Sequence, residues 1–364
     1  MEIRCVFMNI CIIGQYPPQL GGVATYTKQL EDKLVEEGHN VYVLTYKQNV
    51  KSSSNVFMAS SINIPLIRGI SFIISSYFML NKIVKKYNID IIHANYIVPP
   101  GLVCVLNKSD AKKVITVHGS DINILPNNKI LRPLIKYVLN KSDYLYFVSE
   151  KLKDKAISLN GNEIEKKSKI TPNTVNTNKF KPSDGKRKLL TDYSQPVVVF
   201  IGNLVEQKGL KYLLEAKKLS TLDYTLLIYG EGPERDFLSK YIESNNLKDT
   251  YLMGKTQIPE QIIPESDIMV LPSVSEGASI IALESMSCGK PLISTDTGNI
   301  STVITNDENG IIIPPENSEL LKDAIEDLIS NKDKREQIGK NARELIIDKY
   351  SEMNIPYLKN QIIK

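Results

Sequence analysis

Metal-binding and redox patterns are scarce in these 364 residues. The four cysteines, Cys5, Cys11, Cys104 and Cys288, lie far apart with no C-x-x-C pair and mostly apolar neighbours. That excludes a disulfide framework and points to buried thiols in a reducing compartment. The three histidines, His39, His93 and His118, form no ligand spacing, and no D-x-D triplet occurs, so a site without a metal is expected. Charge of one sign is also lacking: 45 basic against 41 acidic residues leave a net +4, with no basic stripe interleaved with aromatics. Nucleic acid is therefore not the expected partner. No G-x-G-x-x-G follows the first strand, which argues against a dinucleotide oxidoreductase. One long apolar run exists, residues 62–80, and it contains Pro65, Arg68 and several serines. A packed amphipathic helix suits it better than a membrane span, and a role at a membrane surface stays open. Arg4 sits in a short apolar run, and 10–14 reads as a buried strand entering a glycine-rich turn, so no secretion signal is expected. Met8 opens a complete first strand and competes with Met1 as the start.

What is present is an ordinary globular composition, 42% hydrophobic and 24% charged, on a chain long enough for two domains. Strand patterns at 10–14, 41–45, 89–93, 114–118, 144–149 and 170–172 alternate with helical patterns at 25–37, 70–86 and 131–140. Residues 181–196, with charge, glycine and two prolines, read as a linker, and the alternation restarts at 197–202. Expected strands follow at 225–229, 251–253, 268–271, 292–294 and 310–313, with helices at 210–218, near 234–244 and after Gly277. The expected fold is α/β: two facing Rossmann-like, doubly wound parallel-sheet domains with a cleft between them, spanning 1–185 and 186–350. An amphipathic helix over 351–364 would pack back on the first domain.

Residues 272–291 carry the densest signal. Glu276 and Glu284 bracket Gly277, Ala278 and Ser279 at the start of an apolar helix. The glycine lets a ligand approach the backbone, and the free N–H groups of a helix start attract an anion such as a diphosphate. Carboxylates repel that anion but accept hydroxyl hydrogen bonds from a ribose or a sugar. Alone, the pair fits better a helix with an acidic first turn and one exposed glutamate, and only its surroundings overturn that reading. Lys208 lies six residues after Gly202 at a strand-to-helix turn, where it can neutralise phosphate or simply be solvated. Gly21 and Gly22 follow the first strand and precede a helix; Gly230, Gly232 and Pro233 form a turn after another strand. His118 closes the strand VITVH at a sheet's carboxyl end, a place for chemistry or for a structural hydrogen bond. His93 also ends a strand and either lines the acceptor side or shapes the cleft.

PSVSEGASIIALESMSCGKPLIST, IGNLVEQKGL, YGEGPE and GGVATYTKQL, in that family's order over nearly the whole chain, resemble the retaining family-4 glycosyltransferases (glycosyl transferases group 1), which have the GT-B architecture. The resemblance implies that Glu276 contacts the donor sugar's hydroxyls and Glu284 the ribose. It also implies that Lys208 binds phosphate, that Gly22 faces the diphosphate from the first domain, that His118 lies beside the donor sugar, and that Gly230 lies near the base. Asn203 stands where the family often has a phosphate-binding arginine, so one positive charge is missing. TPNTVNTNKF departs from the family's Pro-Asn-Gly-Val-Asp turn at Thr174 and Asn176, and a structural turn is expected there.

The expected activity is retaining transfer of a hexose-type sugar from a UDP-, GDP- or ADP-sugar to a glycan or lipid-linked acceptor hydroxyl. No cofactor or metal is expected, and the location is cytoplasmic, with peripheral membrane association left open. The residues assigned to chemistry are His118, Lys208 and Glu276. Those assigned to the donor are Gly22, Asn203, Gly230, Gly277, Ala278, Ser279 and Glu284. A nucleotide-sugar epimerase or a non-catalytic nucleotide-sugar-binding protein are the alternatives. The sugar, the base, the acceptor and the oligomeric state are not legible.

Overall fold

A computed structural model describes residues 7–19, 21–48, 54–61, 67–185, 187–351 and 355. The chain divides into two compact units between Pro172 and Asn173. The first holds β1 (Asn9–Ile13), β2 (Asn40–Tyr46), β3 (Val56–Ala59), β4 (Ile91–Asn95), β5 (Lys112–Val117), β6 (Tyr144–Phe147) and β7 (Ser168–Ile170). They form one parallel sheet in the order β3-β2-β1-β4-β5-β6-β7. The second holds β8 (Val197–Ile201), β9 (Thr225–Tyr229), β10 (Thr250–Gly254), β11 (Ile268–Leu271), β12 (Leu292–Thr295) and β13 (Ile311–Ile313). These are also parallel, in the order β10-β9-β8-β11-β12-β13.

Continuous runs of branched side chains explain the central strands. Val197, Val198, Val199 and Phe200 of β8 are wholly buried, as are Ile10, Cys11, Ile12 and Ile13 of β1, because helices cover both faces of a parallel sheet. The helices bury one stripe each. Leu210–Leu219 turns Leu210, Leu213, Leu214 and Ala216 inward. Ser318–Ser330 turns in Leu321, Ala324, Ile325 and Leu328, and Asn317 caps it by accepting the Leu320 N–H at 2.9 Å. Both sheets reverse order beside their first strand: β1 lies between β2 and β4, and β8 between β9 and β11. Loops leaving the carboxyl ends at such a reversal diverge and leave a crevice, where ligands bind in open α/β sheets.

Several sequence expectations shift. The edge strand β3 was not expected, since four residues give too short a pattern. The first helix begins at Gly22 rather than near residue 25, with Gly21 as the turning residue at φ 133°. Ser318–Ser330 and Lys332–Lys349 are helices that the strand-centred reading passed over. Part of the expected linker is anchored within the second unit: the Glu265 carboxylate accepts the N–H groups of Lys188, Leu189 and Leu190 at 2.8–2.9 Å, and Asp267 pairs with Arg187 at 2.6 Å. The helix expected over 351–364 lies outside the described residues.

Cys11, Cys104 and Cys288 are buried free thiols, and burial pushes Cys11 and Cys288 up to about 12. Cys5 lies outside the described residues.

Candidate active site

In the second unit the loops after the neighbouring strands β8 and β11 are stitched together. The Gln207 carbonyl accepts the N–H groups of Val274 at 2.8 Å and Ser275 at 3.3 Å. Between Lys208 and the helix Leu210–Leu219 sits Gly209, at φ 64°, where an added Cβ would lie 2.0 Å from the Pro272 carbonyl oxygen. Only glycine permits that approach. From below, Thr295 at the end of β12 donates its hydroxyl to the Ser273 carbonyl at 2.5 Å.

This stitching brings Lys208 against Glu276, 68 residues later. The Lys208 ammonium forms an ion pair with Glu276 Oε2, and Ser273 Oγ donates to the same oxygen at 3.2 Å. The two side chains stay 18% and 21% exposed, so water and ligands reach them. The sequence placed Lys208 and Glu276 on opposite halves of a ligand; the structure makes them one charge pair.

The helix Ile280–Ser287 opens behind Glu276. Its cap residue Ser279 makes no side-chain cap bond, and its first turn holds no acid, which leaves the N–H groups there available to an anion. Gly277, Ala278 and Ser279 are half-buried. Because the helix starts at Ile280, Glu284 lies just over one turn inside it. It is 7% exposed, not the exposed glutamate of the bland alternative. Burial lifts its carboxyl to about 7; the Lys179 ammonium pulls it down and the Glu260 carboxylate pushes it up. Lys179 and Glu260 themselves approach to 3.6 Å. Glu284 thus sits in a different electrostatic setting from Glu276.

Gly230 has a packing role. A Cβ there would meet the Gly202 carbonyl oxygen at 1.9 Å, and the Leu204 N–H bonds to the Glu231 carbonyl at 3.0 Å. Asn203 is exposed beside this seam.

Residues that the sequence did not single out join the site. Asn173, 4% exposed, donates Nδ2–H to the Ala278 carbonyl at 3.2 Å, while its Oδ1 is buried without a protein partner. Through Asn173, the turn at 171–180 holds the loop before the helix. Thr297 and Asn299, after β12, line a small pocket with Ser273, Glu276 and Ser279. No local pattern reveals these contacts, because Asn173 lies 105 residues from Ala278.

In the first unit, Gly22 is the exposed first residue of the helix Gly22–Glu36, which has no side-chain cap and no acid in its first turn. His118 follows β5, its ring edge-on to Tyr26 at 4.7 Å. Burial lowers it to about 3, and its Nε2 has no protein partner. Its loop is gripped by the wholly buried Asp121, whose carboxylate accepts the N–H of His118 at 3.2 Å and of Gly119 at 2.8 Å. His93 is 1% exposed, shares a 2.7 Å hydrogen bond with Thr116 Oγ1, and is lowered to about 3 by burial and by His118. It lies inside β4 rather than at a strand end, and it lines no surface of this unit.

Two family profiles match in tandem: Glycosyltransferase Family 4 over residues 20–179 and Glycosyl transferases group 1 over residues 183–345. The chain belongs to the group 1, family-4 glycosyltransferases. It is 29% identical over 344 residues to an uncharacterized glycosyltransferase of Methanocaldococcus jannaschii, covering 93% of each chain. Among solved structures, sucrose-phosphate synthase from Thermosynechococcus elongatus superposes with TM-score 0.82 at 21% identity, covering 94% of this chain and 95% of the other. Anabaena HepE in complex with UDP-glucose superposes with TM-score 0.78 at 18% identity, covering 94% and 95%. These likenesses and the two parallel sheets give the GT-B fold.

Proposed function

We propose that this glycosyltransferase moves a hexose-type sugar from a nucleoside-diphosphate sugar to an acceptor hydroxyl with retention of anomeric configuration. The observation that carries the reading is the Lys208–Glu276 pair beside an uncapped helix start at the carboxyl ends of adjacent strands. The UDP-glucose complex of the Anabaena neighbour supports a donor of this class. Transfer breaks the bond between the anomeric carbon and the diphosphate oxygen. Negative charge grows on the leaving diphosphate, and Lys208 and the amides at Gly277–Ser279 are the groups to stabilise it. In doing so Lys208 exchanges Glu276 for phosphate.

Glu276, released, accepts hydrogen bonds from the sugar's hydroxyls. Glu284 takes the ribose, and its raised carboxyl leaves it able both to accept and to donate near neutrality. We assign Glu276 no nucleophilic role: the acceptor oxygen attacks from the face the diphosphate leaves, and its proton passes to the departing phosphate. His118, held neutral by burial, serves the sugar as a hydrogen-bonding group and not as a cation. Asn203 adds no charge, so Lys208 and the helix amides carry the diphosphate without metal. We place the reaction in the cytoplasm.

The test incubates the protein with UDP-, GDP- and ADP-sugars and a panel of glycan acceptors, reads nucleoside-diphosphate release, and follows the product's anomeric configuration by NMR. One donor should give a product with the donor's configuration, unaffected by EDTA. An inverted product refutes retention, sugar interconversion without acceptor establishes the epimerase, and binding without turnover establishes a non-catalytic binder.

A further inference from the structure

The helix Ile67–Tyr87 of the first unit commits only one of its faces to the core. Phe72, Ser76, Leu80, Ile83 and Val84 are buried, with the Phe72 ring stacked on Tyr46 at 3.8 Å. The other face carries Ile67, Ile70, Ile74 and Phe78, which are 44%, 61%, 55% and 62% exposed. Steps of three, four and four residues place them in one row along about 16 Å of helix. Single exposed apolar residues need no explanation, but a row of four large ones does.

Charge identifies what covers the row. The helix contains no aspartate or glutamate, and its cations are Arg68, Lys82, Lys85 and Lys86. Lys82 and Lys85 continue the same exposed face beyond Phe78, and Lys86 and Arg68 stand at its border. Isoleucine and phenylalanine in line with lysine match the boundary between acyl chains and anionic headgroups. By length and composition the helix could cross a membrane, but its inner face is bound to the sheet, so it can only lie along a surface.

We propose that this face docks on an anionic lipid bilayer, with Ile67, Ile70, Ile74 and Phe78 dipped into the headgroup boundary and Lys82, Lys85 and Lys86 against lipid phosphates. All the residues of this contact belong to the first unit and none is assigned to the donor, so docking and donor binding fail separately.

Co-sedimentation of the full chain with vesicles decides it. Binding is expected to vesicles of phosphatidylglycerol and phosphatidylcholine, not to phosphatidylcholine alone, and to weaken as salt rises. The triple variant Ile70→Ser, Ile74→Ser, Phe78→Ser should lower partitioning at least about tenfold, and Lys82→Gln with Lys85→Gln should weaken it further. All five positions are exposed, and an unchanged unfolding temperature confirms the fold. Absence of binding to anionic vesicles overturns the proposal, as does binding that the triple variant leaves intact. A dimer in ultracentrifugation that the triple variant dissolves, without vesicle binding, assigns the row to a second copy instead.

Discussion

After β8 and β11 a lysine and a glutamate are held as a half-open ion pair, whereas within β4 and just after β5 two imidazoles, those of His93 and His118, are kept neutral. The contrast separates two kinds of polar site. A partly exposed pair can trade partners with a ligand at little desolvation cost, because water already reaches both groups. A buried histidine lowered to about 3 carries no charge at neutral pH and acts through shape and hydrogen bonds. Glu284 is a third case: a buried acid, raised where the imidazoles are lowered.

The strongest way to break this contrast is to neutralise the exchangeable pair. Glu276→Gln should lower kcat/KM by about 10²-fold or more with little change in unfolding temperature, measured by nucleotide release. A variant with full transfer would remove Glu276 from the site.

The next test uses the buried acid. Glu284 is raised in the folded state, so between about 4.5 and about 7 the folded protein holds more protons than the unfolded chain, and stability falls as pH rises through that window. Glu284→Gln should stabilise the protein by about 1–3 kcal/mol at pH 8 relative to pH 5, read from unfolding curves. In transfer assays the same variant should raise the donor KM.

The imidazoles carry the opposite sign. Both are lowered from 6.5 to about 3, so below pH 6.5 the unfolded chain takes up protons that the folded one refuses, and stability falls as pH drops. His118→Gln should lessen that loss by about 1 kcal/mol per pH unit between 6 and 4. An unchanged acid limb would mean that His118 is not held neutral.

Periodicity made most of the fold legible. The runs that became β9 and β11 match their expected bounds, because fully buried parallel strands are continuous apolar segments between turns. The edge strand β3 was missed, since four residues carry little pattern. In the site, the glutamates, Lys208 and the glycine turns were readable, because a strand end followed by a helix start confines ligand groups to short loops. The Lys208–Glu276 pairing, the Asn173 clasp on Ala278 and the burial of Glu284 were not. Each depends on contacts across the sheet, which local spacing does not encode.

The most direct test of the donor site is thermal unfolding of the full chain with UDP, GDP and ADP, for the native protein and for Lys208→Met. One nucleoside diphosphate should stabilise the native chain by about 2.7 kcal/mol at a hundredfold excess over its Kd. Most of that gain should vanish in the variant. Equal stabilisation of both proteins, or none of the native chain by any of the three, would contradict the assignment of Lys208 and its loop as the diphosphate site.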